Sequence, residues 1–251
     1  NTECEFIAYI DRHCIADKNW LKQLYSSMKK CSDKNIAGIG STHISPKDEG
    51  FFGKAVDQVF NSILGGLGSS YRVAKEKREV DTAPFVLYRR KALENVDFYD
   101  EDMKYGEDYS LNYKLRKKGY KILVDPQAIV YYYKKKTLKS FLRQMYNYGT
   151  AKAIIGKKYP GAISITHCIP SVFLLSFLIL TFLSIHFTQI RLFTLVTVLI
   201  YILSIIIFSF VSALRKKEAF LVGLMPILYF IEHLAYSIGF FRGFFKKGWV
   251  R

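Results

Sequence analysis

Apolar and polar positions alternate in short blocks over the first two thirds of the chain and merge into long apolar stretches over the last third. Glu5 to Ile10 is an apolar run of strand length that ends on Asp11-Arg12-His13, and Ile36 to Ile39 is another such run. Asp17 predicts the cap of a helix reaching about Lys30, with Trp20, Leu21, Leu24, Tyr25 and Met28 on one face. Phe51 to Leu64 reads as a helix with Phe52, Val56, Val59, Phe60 and Ile63 on one side. The loop Gly65-Gly66-Leu67-Gly68-Ser69-Ser70 follows it. Val80 to Tyr88 is strand-like, and its Pro84 argues for an edge or a bulge. Glu107 to Lys118 predicts a helix closed by Gly119. Lys121 to Val124 and Ala128 to Tyr133 predict strands on either side of Pro126. Strands and helices that alternate without internal repeats predict an α/β domain with a mostly parallel sheet. Ligands of such sheets sit beyond the carboxyl ends of the strands, and Asp11 stands at such an end of a strand expected to be buried.

Thr137 opens a helix whose Leu138, Phe141, Met145 and Tyr148 share one face while Lys139, Arg143 and Lys152 occupy another. This pattern suits a helix lying in the headgroup plane and equally a helix packed on its own domain. Three apolar stretches follow, Ile169 to Phe187, Leu192 to Leu214 and Ala219 to Phe241, each near the ~20 residues needed to cross a bilayer. The third contains Gly223, Pro226, Glu232, His233 and Gly239. Basic residues favour the cytoplasmic side, which places Arg215-Lys216-Lys217 and the stretch before Ile169 there. A third full crossing would put Arg242, Lys246, Lys247 and Arg251 outside, against that preference; the segment either crosses regardless or re-enters and returns. Three crossings are the expectation. The chain thus divides into 1–136, a soluble-type domain; 137–168, an interface helix and linker; and 169–251, a membrane region.

Composition sharpens this division. Residues 169–251 hold two acids, Glu218 and Glu232, against eight bases. The whole chain of 251 residues carries 37 Lys and Arg against 21 Asp and Glu, a net charge of +16. Such an excess suits either nucleic acid or an anionic membrane face. Beside apolar spans the membrane reading prevails, and nucleic acid is not expected as a partner. The run Tyr131-Tyr132-Tyr133-Lys134-Lys135-Lys136 has groups that stack on bases, but it also fits a strand leading to a membrane-facing helix. Cys4, Cys14, Cys31 and Cys168 form no C-x-x-C and no even framework; they read as reduced, mostly buried thiols of a cytoplasmic domain.

Three groups of residues carry chemistry. Asp11, with His13 two positions on, offers ligands to Mg²⁺ or Mn²⁺, or serves only as a loop before a helix. Glu107-Asp108 stands in the first turn of a helix, where the macrodipole favours anions. One carboxylate there can take a hydroxyl proton while its neighbour orients; ordinary helix-terminal charge is the other reading. Gly66-Leu67-Gly68-Ser69-Ser70-Tyr71-Arg72 has glycines that admit phosphate to backbone N–H groups and an arginine that binds it, though it is neither a Walker loop nor a dinucleotide fingerprint.

The order of these pieces resembles the family-2 glycosyltransferases, in particular the membrane-bound succinoglycan type of polysaccharide synthesis. The resemblance runs through Tyr9-Ile10-Asp11-Arg12-His13-Cys14, Asn19-Trp20-Leu21, Gly66 to Arg72, Arg78-Glu79-Val80-Asp81-Thr82, Tyr88-Arg89-Arg90 and Phe98-Tyr99-Asp100-Glu101. Its densest block is Gly106 to Arg116, running on to Gly119, and it ends on Arg143-Gln144 and Tyr148-Gly149. The resemblance implies part of a GT-A, Rossmann-like domain followed by transmembrane helices, an inverting reaction and a nucleotide-diphospho-sugar donor. It makes Asp11 the carboxylate linked to a divalent cation, Mg²⁺ or Mn²⁺, and His13 the second member of a D-x-D-like motif. Asp108 becomes the base, with Glu107 beside it, and Arg72, Arg143 and Gln144 become substrate-binding. Processive relatives carry Q-x-x-R-W near this last pair; here Asn147-Tyr148 follows, which implies addition of one sugar to a lipid-linked or saccharide acceptor. The catalytic part is expected on the cytoplasmic face of a multi-pass plasma-membrane protein. The family's early strands, which bind the nucleotide, have no counterpart before Asn1, so the chain alone is expected to have little donor affinity. An inert membrane scaffold descended from such an enzyme is the other reading of that departure.

Overall fold

The computed structural model describes residues 4–12, 14–66, 71 and 74–246. Their contacts separate two units, residues 4–49 with the described part of 69–133, and residues 50–66 with 134–246. The division is not linear along the sequence. Residues 50–66 group with the later helices, as does the helix over 138–158.

In the first unit, β1 (Phe6–Ala8), β2 (Cys14–Ala16), β3 (Ile36–Ile44), β4 (Arg78–Glu79), β5 (Leu87–Arg89) and β6 (Lys121–Tyr132) make one sheet in the order β1-β5-β3-β6-β2, with β4 also on β6. The sheet is mixed, which corrects the expectation of mostly parallel strands: only β3 and β6 pair in parallel. Alternation implies parallel strands only when each intervening helix carries the chain back over the same sheet. Here α2 (Phe51–Asn61) and α3 (Ile63–Gly66), between β3 and β5, belong to the other unit, so β5 returns antiparallel. β1 is an edge strand among the described residues, and Ile10 and Asp11 after it are exposed, not the end of a buried strand.

The two strands expected around Pro126 are one. Its register against β3 jumps from Ser41–Asp125 to Thr42–Ile129, leaving residues 126–128 as a bulge that accommodates the proline. Three extra residues reverse the alternation of faces. Ile122 and Val124 therefore pack with Leu111 and Leu115, whereas Ala128 and Val130 pack with Trp20, Leu24 and Met28 on the opposite core. Helix α1 (Trp20–Lys30) starts three residues after Asp17, whose carboxylate accepts from the Asn19 N–H instead of capping the helix. It buries Trp20, Leu24, Ser27 and Met28, and leaves Leu21 and Tyr25 exposed. α4 (Arg90–Glu94) and α5 (Glu107–Lys117) line the other face, with α5 closed at Gly119 in the left-handed conformation as its sequence predicts.

The second unit joins α2 and α3 to α6 (Leu138–Lys158), α7 (Ile165–Leu183), α8 (Thr188–Lys216) and α9 (Met225–Phe245), with a 3-10 turn at Ala219–Leu221. The helix expected over 51–64 breaks at Ser62, whose hydroxyl donates to Val59 O and accepts from Gly65 N–H; beyond the break Ile63 is 78% exposed. Phe141 and Met145 of α6 enter a core with Val56, Phe60, Leu228 and Tyr229, so α6 packs on its own unit, while Leu138 and Tyr148 are exposed. Among the described residues α7 and α8 are long and apolar enough to cross a membrane, and only 11% and 17% of their apolar windows are buried. α9 is not in that class; its buried residues recur along one face from Met225 to Gly243.

α6 and α9 touch backbone to backbone. A Cβ on Gly149 would lie 1.9 Å from Tyr236 O, and one on Gly239 2.0 Å from Tyr146 O. Helix propensity alone predicts that Gly149→Ala gains about 1 kcal/mol. The contact predicts the opposite sign, a loss of about 1–3 kcal/mol from overpacking. Thermal unfolding of the detergent-solubilised variant should show a lower Tm than the parent; a higher one would contradict this packing.

Candidate active site

The site belongs to the first unit and rests on α5. Gly38 of β3 leaves room for the ring of Tyr88, since a Cβ there would lie 2.7 Å from Tyr88 Cδ1. Tyr88 crosses the core and its hydroxyl donates to Asn112 Oδ1 at 2.7 Å, while Asn112 Nδ2 donates to Thr82 Oγ1 at 2.9 Å. Together with Leu111 and Leu115 in the core, this chain fixes the rotation of α5. Gly106 precedes the helix at φ 75°, a conformation that disfavours side chains, and turns the chain into Glu107-Asp108. On the far side, Ser110 Oγ donates to Asp100 and Lys114 pairs with Asp100 at 3.2 Å, tying α5 to the segment that carries Tyr99.

Glu107 and Asp108 therefore emerge half-buried, and Tyr9, just past β1, meets Glu107. Tyr9 Oη lies 3.0 Å from Asp11 Oδ1 and 3.4 Å from Glu107 Oε1, so one phenolic proton serves two carboxylates. The Tyr99 ring stands 5.5 Å from that of Tyr9. Burial raises the Tyr99 phenol far above its ordinary value, and the charges of Asp108, Glu107 and Asp11 raise it further. Tyr9 is raised by burial and then by Asp11 and Glu107. The Glu107 carboxyl is also held above its usual range, by burial and then by the charges of Asp108 and Asp11; its own backbone N–H and the Tyr9 hydroxyl oppose the shift.

The structure thus brings together Asp11, Glu107 and Asp108, nearly a hundred positions apart in sequence. His13 and Arg72 lie outside the described residues. Arg143, exposed, and Gln144, whose amide donates to Tyr148 Oη at 3.0 Å, are on α6 of the other unit. Sequence reasoning missed Tyr9, Tyr99 and the Tyr88–Asn112–Thr82 chain. Tyr9 had a signal, because residues two apart on an extended segment share a side and Tyr9 precedes Asp11 by two. Tyr99 and Thr82 stood only within blocks that carry the family resemblance, with no local pattern that singled them out.

Oxygen ligands with surplus negative charge suit a hard divalent cation. No group of three or more His, Cys, Asp or Glu that could hold a metal occurs among the described residues. A cation carried by phosphates does not require one, since Mg²⁺ is commonly held by one or two carboxylates and takes its other ligands from phosphate and water. Asp11, exposed beside Glu107, fits that mode.

The comparisons with known proteins agree on the class. The chain is a glycosyltransferase: over residues 6–241 it matches the family described as Glycosyl transferase family group 2, and it belongs to that family. It is 29% identical over 250 residues to the dolichyl N-acetyl-alpha-D-glucosaminyl phosphate 3-beta-D-2,3-diacetamido-2,3-dideoxy-beta-D-glucuronosyltransferase of Methanococcus voltae, an alignment covering 98% of this chain and 73% of that protein. It is 28% identical over 151 residues to the succinoglycan biosynthesis protein ExoA of Rhizobium meliloti (strain 1021), covering 59% of this chain and 44% of that protein.

The raised Glu107 carboxyl has a stability consequence. The folded form holds this proton more tightly than the unfolded chain, so its contribution is full below the ordinary value of 4.5 and is lost as pH rises through the folded value. Glu107→Gln cannot ionise. It should raise the Tm above the parent's near neutral pH, with the gain shrinking as pH falls toward 4.5. Thermal unfolding across that pH range checks this, and a gain that grows on acidification would contradict it.

Proposed function

We propose that this glycosyltransferase moves one sugar, with inversion, from a nucleotide-diphospho-sugar to a lipid-linked saccharide in cell-surface polysaccharide synthesis. The observation that carries the reading is the convergence of Asp11, Glu107 and Asp108 around Tyr9 and Tyr99. The lipid-linked acceptor is supported by the name of the Methanococcus relative, which specifies a dolichyl phosphate carrying a sugar. The catalytic unit is assigned to the cytoplasmic face of the plasma membrane, the side favoured by Arg215-Lys216-Lys217.

In this reading the acceptor hydroxyl oxygen attacks the anomeric carbon from the face opposite the leaving group. Its proton passes to the Asp108 carboxylate as the new C–O bond forms. The old C–O bond breaks with its electron pair on the diphosphate, which departs as the nucleoside diphosphate. A divalent cation on Asp11, with His13 as the second ligand of the family motif, supplies charge neutralisation to that leaving group when bound. Tyr9 holds Asp11 and Glu107 in one orientation through its shared hydroxyl. Glu107 orients the acceptor beside the base. Arg72, Arg143 and Gln144 are assigned to substrate.

In an enzyme preparation that carries out transfer, Asp108→Asn should lower transfer by about 10²–10⁴-fold, the usual worth of a general base, while leaving metal-dependent donor binding in place. Asp11→Asn should instead weaken donor binding and remove its dependence on the cation. Unchanged turnover in the Asp108 variant would end the base assignment. Tyr9→Phe removes a hydrogen bond that favours ionised Glu107. With ionised Glu107 orienting the acceptor, the acid limb of the pH–rate profile should move to higher pH. An acid limb that stays in place would separate Tyr9 from the chemistry.

A further inference from the structure

We infer that α9 does not cross the bilayer: it lies in the membrane surface beside α6 and α2, with both ends on the side of Arg215-Lys216-Lys217, and rests on anionic lipid headgroups. The chain would then span the membrane twice, through α7 and α8.

The first observation is what flanks α9. Its second half runs along α6, with Gly239 against Tyr146 O, Gly149 against Tyr236 O and Gly243 against Thr150 O. Thr150 Oγ1 donates to Gly239 O at 3.0 Å, and Lys157 Nζ donates to Phe244 O at 2.8 Å. α6 carries Lys139, Arg143, Lys152, Lys157 and Lys158, from its first turn to its last. A basic residue at the bilayer centre costs about 2.5–3.5 kcal/mol on insertion scales, so a helix with five of them does not lie in hydrocarbon. The first half of α9 shares its core with α2, through Met225, Leu228 and Tyr229 against Val56, Val59 and Phe60. α2 in turn carries Lys54, which pairs with Glu218 at 3.8 Å, and Gln58, which donates to Glu218 just after the Arg215–Lys217 cluster. Helices bearing charge therefore flank both halves of α9, alongside its contacts with α7 and α8. Carrying its end to the opposite interface, about 30 Å away, would draw them into the bilayer.

The second observation is the end of α7. Tyr236 Oη donates to His167 O in the first turn of α7 at 3.0 Å, so the half of α9 that runs along α6 starts beside that end of α7. Three residues earlier, His233 Nδ1 lies 3.0 Å from Tyr201 Oη of α8.

The third observation is the outward face. Ile227, Phe230, Ile238, Phe244 and Phe245 of α9 are exposed, and α6 exposes Leu138 and Leu142 next to Lys139 and Arg143. Apolar anchors rimmed by bases are the pattern of an in-plane element on anionic lipid, with the long cationic side chains reaching the headgroups. This arrangement also removes the charge conflict of a third crossing, because Arg242 and Lys246 remain on the basic side.

The test is vectorial labelling of single cysteines in the full chain, with the four native cysteines replaced. Lys216→Cys marks the basic end of α8, His186→Cys marks the turn between α7 and α8, and Lys246→Cys follows α9; the first two positions are exposed and the third is partly exposed. A membrane-impermeant maleimide is applied to inverted and to right-side-out vesicles, with detergent-solubilised protein as the measure of full reactivity. Lys246→Cys should label with Lys216→Cys in the inverted vesicles and be protected in the orientation that labels His186→Cys. Labelling of Lys246→Cys together with His186→Cys would establish a third crossing and overturn the proposal. Lys139→Gln with Arg143→Gln provides the second readout: flotation with vesicles rich in phosphatidylserine should still recover the α7–α8 anchored protein. Phosphorus NMR of the reconstituted protein should show fewer perturbed headgroups than the parent, and an unchanged number would remove the headgroup contact.

Discussion

Three neighbouring carboxylates, two of them joined by one phenol, repel, and the first unit is built to keep them together. Glu107 is raised above its ordinary range because burial and its acidic neighbours oppose its charge, and the partial relief offered by Tyr9 does not cancel them. Such an arrangement persists only where the surrounding structure leaves the side chains no alternative. Tyr88 supplies much of that constraint. Its ring fits above Gly38, and its hydroxyl grips Asn112, which in turn grips Thr82. α5 cannot rotate to release Glu107 and Asp108 without breaking buried hydrogen bonds, whose unsatisfied groups cost about 1–3 kcal/mol each. The site is thus poised for positive charge, and a nucleotide diphosphate accompanied by a divalent cation brings charge of both signs.

How much of this was legible depends on the range of the interaction that decides each element. α5 was readable from end to end, because Gly106, the acidic first turn, the Leu111–Leu115 spacing and Gly119 are all local. α7 and α8 were readable as long helices because each is specified by a continuous local run of apolar residues, long enough to cross a bilayer. The direction of β5 was not readable. It depends on α2 leaving for the other unit, and nothing within Phe51–Asn61 announces its partner. The bulge at Pro126 was half readable: proline marked an interruption, but the pairing across it is set by β3. The face of α1 was misjudged at Leu21 and Tyr25, which satisfy the helical period yet find no sheet beneath them.

The candidate site follows the same rule. Asp11, Glu107 and Asp108 were legible as types at positions, a carboxylate after a strand and an acidic pair opening a helix. Their convergence was a spatial matter, decided by the pairing of β1 with β5 and by the anchoring of α5. Tyr9 shows the difference most clearly. In sequence it is one aromatic in an apolar run; in space its hydroxyl joins two acids separated by 96 positions.

The second unit turns the charge argument around. In the first, like charges are held together by buried hydrogen bonds; in the second, bases are spread along helices that could otherwise sink into lipid. α6 and α9 approach so closely at Gly149 and Gly239 that neither can change depth alone. A segment read by itself, such as the apolar stretch from Ala219 to Phe241, is judged by its own hydropathy. A segment locked to a neighbour is judged by the pair, and the five bases of α6 dominate that sum. The depth inferred for α9 is therefore a property of the contact as well as of the helix. It follows from the glycine contact together with the Glu232, His233 and Arg242 that α9 itself carries.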